Sequence, residues 1–268
     1  MMAGASLQIS DIQVVRSGRK ILDIDKLHIL SGQLVNIIGT NGAGKTTLLK
    51  ILCGLLKPSS GTVLFDQIPI LSLSQWKRTN VKKQIGYIPQ SADYNSELPF
   101  TVREVVAMGR TSTKPLLTRL TRTDYDYVNQ WIDRVGLFSQ RNQTFRSLSG
   151  GEQQKALIAR AMVQDPKILM LDEPTSNLDF HWKVKISHFV QELQRKMNLT
   201  VLMISHEIAS IPLNADRIIL LHEGKVLADG DSEEILTSDM IQHVYQCRIK
   251  VFEFEGNKYI INQDTAGS

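Results

Sequence analysis

Residues 34–52 read LVNIIGTNGAGKTTLLKIL. The opening LVNII is short, continuous and largely β-branched, which predicts a strand covered on both faces. The run breaks at Gly39, and residues that favour a helix follow over 45–53. This order of strand, loop and helix predicts one unit of a parallel α/β sheet.

The loop of this unit, residues 39–46, fits the pattern G-x-x-x-x-G-K-[ST]. Its glycines let the backbone wrap closely around phosphate oxygens, while successive N–H groups and the start of the next helix favour negative charge. We expect Lys45 to reach the terminal phosphates of a nucleotide and Thr46 to ligate Mg²⁺. The residues predicted to bind nucleotide here are Gly39, Thr40, Asn41, Gly42, Ala43, Gly44, Lys45, Thr46 and Thr47.

Buried strand signals recur further along the chain. They cover residues 168–171, 200–204 and 217–221, and helical sequence such as 181–197 separates them. Strands that alternate with helices predict a parallel sheet, so we expect an α/β fold.

Two regions depart from this alternation. At the start of the chain, alternating apolar and polar residues over 7–15 and 21–29 predict two antiparallel strands joined by a turn at Ser17-Gly18. Between residues 92 and 147 the pattern is helical and lacks a buried strand signal, which predicts a helical insertion. The helix-like segments within it are 102–108 and 124–135.

We therefore expect a single domain whose core is split by the insertion. Residues 1–91 and 148–245 are assigned to the core and its β subdomain, and residues 92–147 to a helical subdomain. Residues 246–268 are assigned to a C-terminal extension.

Composition limits the functional classes. The 268 residues are 42% hydrophobic and 22% charged, as in an ordinary globular protein, and the net charge of +4 is too small to indicate a nucleic-acid partner. Cys53 and Cys247 match no metal-binding spacing, and we interpret both as small buried apolar residues. No apolar run is long enough to cross a bilayer, and the start of the chain lacks the pattern of a signal peptide, so we expect a cytoplasmic protein.

Positive charge is concentrated between Trp76 and Arg122, where nine basic residues stand against three acidic ones. A solvated surface explains such a run, and a face turned toward an anionic lipid or an acidic partner is the alternative.

The segment ILMLDE at residues 168–173 is an apolar strand that ends in two carboxylates. In a parallel sheet this position delivers charge to the edge where ligands bind. We predict that Asp172 holds Mg²⁺ through water and that Glu173 polarises the attacking water. Alone, the pattern is a weak signal, and a helix start that carries favourable acidic residues is the alternative.

The segment LSGGEQQ at residues 148–154 offers a hydroxyl cap, two unhindered glycines and a helix start. Ser149, Gly150 and Gly151 could therefore form a second phosphate-binding element. On spacing alone, a plain capped helix explains the segment as well.

With these motifs in this order, the chain resembles the ATP-binding subunit of ABC transporters over nearly its whole length. Residues 39–46 match the family's Walker A motif, Asp172-Glu173 its Walker B motif and catalytic glutamate, and LSGGEQQ its signature. The resemblance implies a P-loop NTPase (RecA-like) core with an N-terminal antiparallel β subdomain and an inserted helical subdomain. It also implies that ATP and Mg²⁺ are the cofactors.

The same resemblance implies roles for residues that pattern alone does not single out. Gln90 in GYIPQ is implied as the Q-loop glutamine, which serves catalysis and contacts the metal, and His206 in MISHE as the switch histidine. Residues 176–179 are implied to be the D-loop. Where the family usually stacks an aromatic residue on adenine, this sequence has Arg16, whose guanidinium can also stack on a base.

The resemblance further implies a working assembly. Two copies form a head-to-tail homodimer, so that Lys45 of one and Ser149 of the other grip the same ATP. Two transmembrane permease subunits bind this dimer, and a ligand-binding protein acts with it indirectly. The chain is then expected at the cytoplasmic face of the cell membrane as a peripheral subunit, with no nucleic-acid partner.

Two segments, 98–110 and 233–237 with Val244-Tyr245 beyond it, are similar to the ATPases of importers for iron-siderophore, haem, vitamin B12 (cobalamin) and related metal-containing ligands. The alternatives are the ATPase of an exporter or of a lipid or polysaccharide machine, and a soluble ABC protein without a transport role. Soluble ABC proteins carry two ATP sites in one chain or a long coiled-coil insertion, and this sequence has neither.

Overall fold

The structure is a computed structural model that describes residues 4–90, 99–115, 117–176, 178–205, 215–246, 248–254 and 257–262. An antiparallel sheet begins it, with β1 (Leu7–Arg16) paired to β2 (Arg19–Ile29). Ser17 and Gly18 both adopt positive φ at the turn between these strands, as predicted. Two strands that the pattern did not predict, β4 (Ser60–Phe65) and β5 (Ile68–Pro69), complete the order β2-β1-β4-β5.

The second sheet has six strands in the order β10-β9-β3-β8-β7-β6. Neighbours from β9 to β6 are parallel, and β10 pairs antiparallel with β9. The strands are β3 (Leu34–Ile38), β6 (Ile85–Ile88), β7 (Ile168–Asp172), β8 (Thr200–Ile204), β9 (Arg217–His222) and β10 (Lys225–Gly230). The predicted parallel sheet is therefore confirmed, with β6 and β10 added to it.

Helices connect and cover the strands. They are α1 (Lys45–Leu52), α2 (Gln75–Lys82), α3 (Val102–Thr111), α4 (Arg122–Arg134), α5 (Gly150–Met162), α6 (Phe180–Met197), α7 (Ser232–Ile235) and α8 (Ser238–Tyr245). A separate hairpin of β11 (Ile249–Phe254) and β12 (Asn257–Asn262) follows them. In the described part of the chain, no helix has both the length and the apolar character needed to span a membrane.

The parallel sheet buries both of its faces, which explains its continuous apolar strands. In β7, Ile168 and Met170 pack into a core shared with α1 and the antiparallel sheet. Leu169 and Leu171 point the other way, into a core shared with α3 to α6. Cys53 is buried in the first core, as predicted, and burial raises its pKa to about 11. Cys247 lies outside the described residues.

Helices α3 and α4 fall where a helical insertion was predicted, and an ionic cluster joins them. Asp124 at the start of α4 is buried and forms ion pairs with Arg110 at 3.0 Å and with Lys114 at 2.8 Å. These contacts, with backbone and hydroxyl donation from Thr121, hold the pKa of Asp124 well below its usual range. Arg110 also reaches Asp165 at 3.2 Å, beyond the end of α5. Arg110 and Lys114, two of the nine basic residues between Trp76 and Arg122, therefore form ion pairs within the chain.

Candidate active site

The loop 39–46, Gln90, Asp172 and Glu173 lie at one edge of the parallel sheet, where the carboxyl ends of four strands meet. Strand β3 leads into the loop 39–46, and β6 leads to Gln90. Strand β7 ends at Asp172-Glu173, and β8 ends just before Ser205. Residues far apart in sequence therefore converge because their strands are parallel neighbours.

The loop 39–46 has a backbone that only small residues allow. Gly39 has a φ of 146°, and a Cβ there would lie 2.0 Å from the carbonyl oxygen of Leu221. Gly44 has a φ of 99°, and a Cβ there would lie 2.6 Å from Leu22 Cδ2. The close approach of β9 and β2 to the loop explains why glycine occupies these two positions.

Lys45, the first residue of α1, is buried and its side chain folds back onto this loop. Its Nζ donates to the carbonyl oxygens of Gly39 at 2.8 Å and Thr40 at 2.9 Å. Burial lowers the pKa of the ammonium, and the negative charges of Glu173 and Asp172 oppose that shift. The structure thus places the one cationic side chain of the loop beside both carboxylates.

Asp172 is almost completely buried, and each of its oxygens accepts a hydrogen bond. Thr46 Oγ1 donates to Oδ1 at 2.9 Å, and Tyr87 OH donates to Oδ2 at 3.2 Å. Burial raises the pKa of the Asp172 carboxyl, and the two hydrogen bonds oppose the shift. Burial, followed by the charge of Asp172, raises the pKa of Tyr87, so the phenol stays a hydroxyl that can donate.

Glu173 lies next to Gln90. The Gln90 amide Nε2 donates to Glu173 Oε2 at 2.5 Å. Glu173 has a φ of 54°, a left-handed conformation that costs a non-glycine residue on the order of 1–3 kcal/mol and is concentrated at functional sites. Burial, followed by the charge of Asp172, raises the pKa of its carboxyl, while Lys45 opposes the shift. Of the three residues predicted to serve catalysis, Glu173 and Gln90 are therefore in direct contact, and His206 lies outside the described residues.

Ser149 is the N-cap of α5 and forms a capping box with Glu152. Its Oγ accepts from the Glu152 backbone N–H at 3.4 Å, and its own N–H donates to Glu152 Oε2 at 2.9 Å. The ring of Trp182 lies against Gly151, where a Cβ would come within 2.0 Å. Among the described residues, no hydrogen bond joins this helix start to the loop 39–46.

The remaining predicted residues divide into those with a described position and those without. Arg16 is exposed at the end of β1, where it lies opposite Arg19 of β2 in the strand register. Ile21 and Leu22, further along β2, contact Gly44. Asp179 caps α6 by accepting from the Trp182 N–H at 2.9 Å. His206 and Asn177 lie outside the described residues.

Two features of the site were not predicted from sequence. One is Tyr87, whose only sequence signal is its position three residues before Gln90. The other is a cavity of about 380 Å³ beside the loop, lined on its far side by the end of α8. Its lining residues are Thr40, Asn41, Gly42, Ala43, His222, Glu223, Val244, Tyr245 and Gln246.

Comparison with known proteins identifies similar chains and a matching family. The ABC transporter family matches residues 22–176. The chain is 32% identical to the petrobactin import ATP-binding protein FpuC of Bacillus anthracis, over 92% of this chain and 89% of that protein. It is 34% identical to the zinc uptake ATP-binding protein ZnuC of Bacillus subtilis strain 168, over 82% of this chain and 92% of that one. The bacterial ABC transporter cassette MJ0796, solved as a dimer, aligns with a TM-score of 0.73 at 26% identity, covering 84% of this chain and 98% of that chain.

Proposed function

Because the chain belongs to the ABC transporter family and is the ATP-hydrolysing subunit of an importer, we propose that it powers uptake of a ferric siderophore, haem, cobalamin or a related metal-containing ligand. One observation carries the site assignment. Thr46 donates a hydrogen bond to Asp172 and Gln90 donates one to Glu173, and both carboxylates are close enough to Lys45 to affect its pKa.

In this proposal the oxygen atoms around Asp172 hold Mg²⁺. Hard oxygen donors, here a carboxylate, a hydroxyl and the nearby Gln90 amide, are the ligands that Mg²⁺ prefers. The metal would neutralise charge on the β- and γ-phosphates of ATP. Lys45 would leave its two carbonyl partners for the phosphate oxygens, which are stronger acceptors because they are charged.

Glu173 is the proposed base. Its carboxylate accepts the proton of a water molecule as the water oxygen attacks the γ-phosphorus and the bond from that phosphorus to the bridging oxygen of ADP breaks. Gln90 donates a hydrogen bond to one carboxylate oxygen and thereby restrains the position of that oxygen. The raised pKa of Glu173 makes it a stronger proton acceptor than an exposed glutamate.

Ser149 is proposed to complete the site of a second copy. Ser149 and Gly150 are exposed at the start of α5, while Gly151 behind them is buried. The N-terminus of a helix favours an anion. Since ATP would contact both chains only when they are closed, its γ-phosphate favours the closed dimer over the open one. The dimeric cassette MJ0796 supports an assembly of two such chains.

The remaining partners follow from the family. The ATPase dimer is proposed to bind two transmembrane permease subunits at the cytoplasmic face of the membrane, and a ligand-binding protein delivers the ligand from the other side. The names of the two relatives support import of a metal or metal chelate, and they do not support export. None of the residues in the site would touch the transported ligand, so the ligand must be identified in cells.

Uptake in the native host tests the proposed substrate class. Deleting the gene should abolish accumulation of one of three radiolabelled ligands, namely iron-siderophore, haem or cobalamin. A plasmid with the wild-type gene should restore it, while a matched plasmid carrying Lys45→Ala should not. Normal uptake of all three ligands would refute the proposed substrate class. If zinc uptake were lost instead, the importer role would stand.

A second experiment tests whether Arg16 stacks on the adenine of ATP. If its guanidinium stacks on adenine, Arg16→Tyr should leave ATP affinity unchanged or tighten it, because an aromatic face stacks at least as well. Titration with a fluorescent ATP analogue measures this affinity, and Arg19→Tyr on the neighbouring strand is the matched control. A large loss of affinity in Arg16→Tyr alone would show that Arg16 makes a different contact.

A further inference from the structure

Tyr87 and Asp172 are placed together by the pairing of β6 with β7. Tyr87 of β6 lies opposite Met170 of β7, and Met170 stands two residues before Asp172 in β7. Because side chains two residues apart in a strand share a face, Tyr87 and Asp172 lie on the same side of the sheet. Helix α1 covers that side and brings Thr46 to the same carboxylate.

The two hydroxyl groups hold different oxygens of Asp172. Thr46 donates to Oδ1 at 2.9 Å, and Tyr87 donates to Oδ2 at 3.2 Å. The last torsion of an aspartate side chain is broad, so a hydrogen bond to one oxygen leaves the carboxylate plane free to rotate. A second donor on the other oxygen fixes that plane.

We propose that Tyr87 is a positioning residue that fixes the carboxylate plane of Asp172 for binding of a divalent cation with nucleotide. This inference rests on the proposed nucleotide and Mg²⁺ site. Partners that orient a metal ligand without touching the metal typically change metal affinity by about 10- to 100-fold. We expect an effect near the lower limit here, because Asp172 is predicted to hold the metal through water and Thr46 continues to hold Oδ1.

The Tyr87→Phe variant isolates this role. The ring packs at the edge of the core shared with α1, and phenylalanine keeps that packing while it removes only the hydroxyl. We expect Mn²⁺, titrated by electron paramagnetic resonance in the presence of a non-hydrolysable ATP analogue, to bind about tenfold more weakly than to the wild type. Affinity for the same analogue in EDTA should not change, and the Mg²⁺ concentration for half-maximal hydrolysis should rise by a similar factor.

Tyr127→Phe is the matched control. Tyr127 is also half-buried and also donates its hydroxyl to an aspartate, Asp165, away from the site. This variant should bind Mn²⁺ like the wild type. Wild-type Mn²⁺ affinity in Tyr87→Phe would overturn the positioning role, and so would an equal loss of nucleotide affinity in EDTA, which would indicate general damage to the site. Failure of the wild type itself to bind Mn²⁺ with nucleotide would instead refute the proposed metal site and this inference with it.

Discussion

Glu173→Gln is expected to lower ATP hydrolysis by about 10²- to 10⁴-fold, the usual contribution of a positioned general base. Glutamine keeps nearly the same shape and can still pair with Gln90, but it cannot accept a proton from water. ATP binding should survive, because Lys45, Thr46 and the loop backbone are unchanged. Phosphate release in the steady state measures the first effect, and equilibrium binding of labelled ATP measures the second.

Glu192→Gln is the matched control for this experiment. Glu192 is an exposed residue of α6 that pairs with Lys196, far along the chain from the site motifs. Its substitution should leave hydrolysis at the wild-type rate. Undiminished hydrolysis in Glu173→Gln would show that Glu173 is not the base.

Lys45→Ala should remove both ATP binding and hydrolysis. The loop has no other cationic side chain, so the phosphates would lose the one cationic group that the loop supplies. Removing one partner of a buried, hydrogen-bonded charge pair costs about 2–5 kcal/mol, so ATP affinity should fall by on the order of 10²-fold or more. Calorimetric titration with MgATP measures the affinity, and phosphate release measures the rate.

Lys57→Ala provides the comparison, because Lys57 is exposed shortly after α1. It should bind and hydrolyse ATP normally. Retained hydrolysis in a clean Lys45→Ala preparation would contradict the assignment of the loop 39–46 as the phosphate-binding element.

The strands of the parallel sheet were predictable where burial on both faces produces a continuous apolar run. Strand β3 and strand β8 have the predicted bounds, since every residue in each is buried. Strand β6 was not predicted, because it has only four residues and one is Gly86. A Cβ at Gly86 would lie 3.2 Å from Ala161 Cβ, a close contact that the neighbouring helix could accept only with a small shift.

The sequence predicts which residues make up the candidate site, but it does not predict the contacts between them. The loop around Lys45 and the pair Asp172-Glu173 are local patterns whose chemistry is evident from the sequence. The hydrogen bond from Tyr87 depends on which strand lies beside β7 and in which register, and neither is visible in a single sequence. Ser149 illustrates a third case, because the observed capping box suits a plain helix and leaves its phosphate-binding role as a prediction.

The most direct test of ATP shared between two copies is the mass of Glu173→Gln in solution, measured by sedimentation with saturating MgATP and with MgADP. The account predicts twice the chain mass of 30.2 kDa with ATP and a monomer with ADP, because only uncleaved γ-phosphate can bridge Lys45 of one chain and Ser149 of the other. Adding Ser149→Arg to this variant should abolish the dimer by blocking that approach. A Glu173→Gln protein that binds ATP and stays monomeric at saturation would contradict the account.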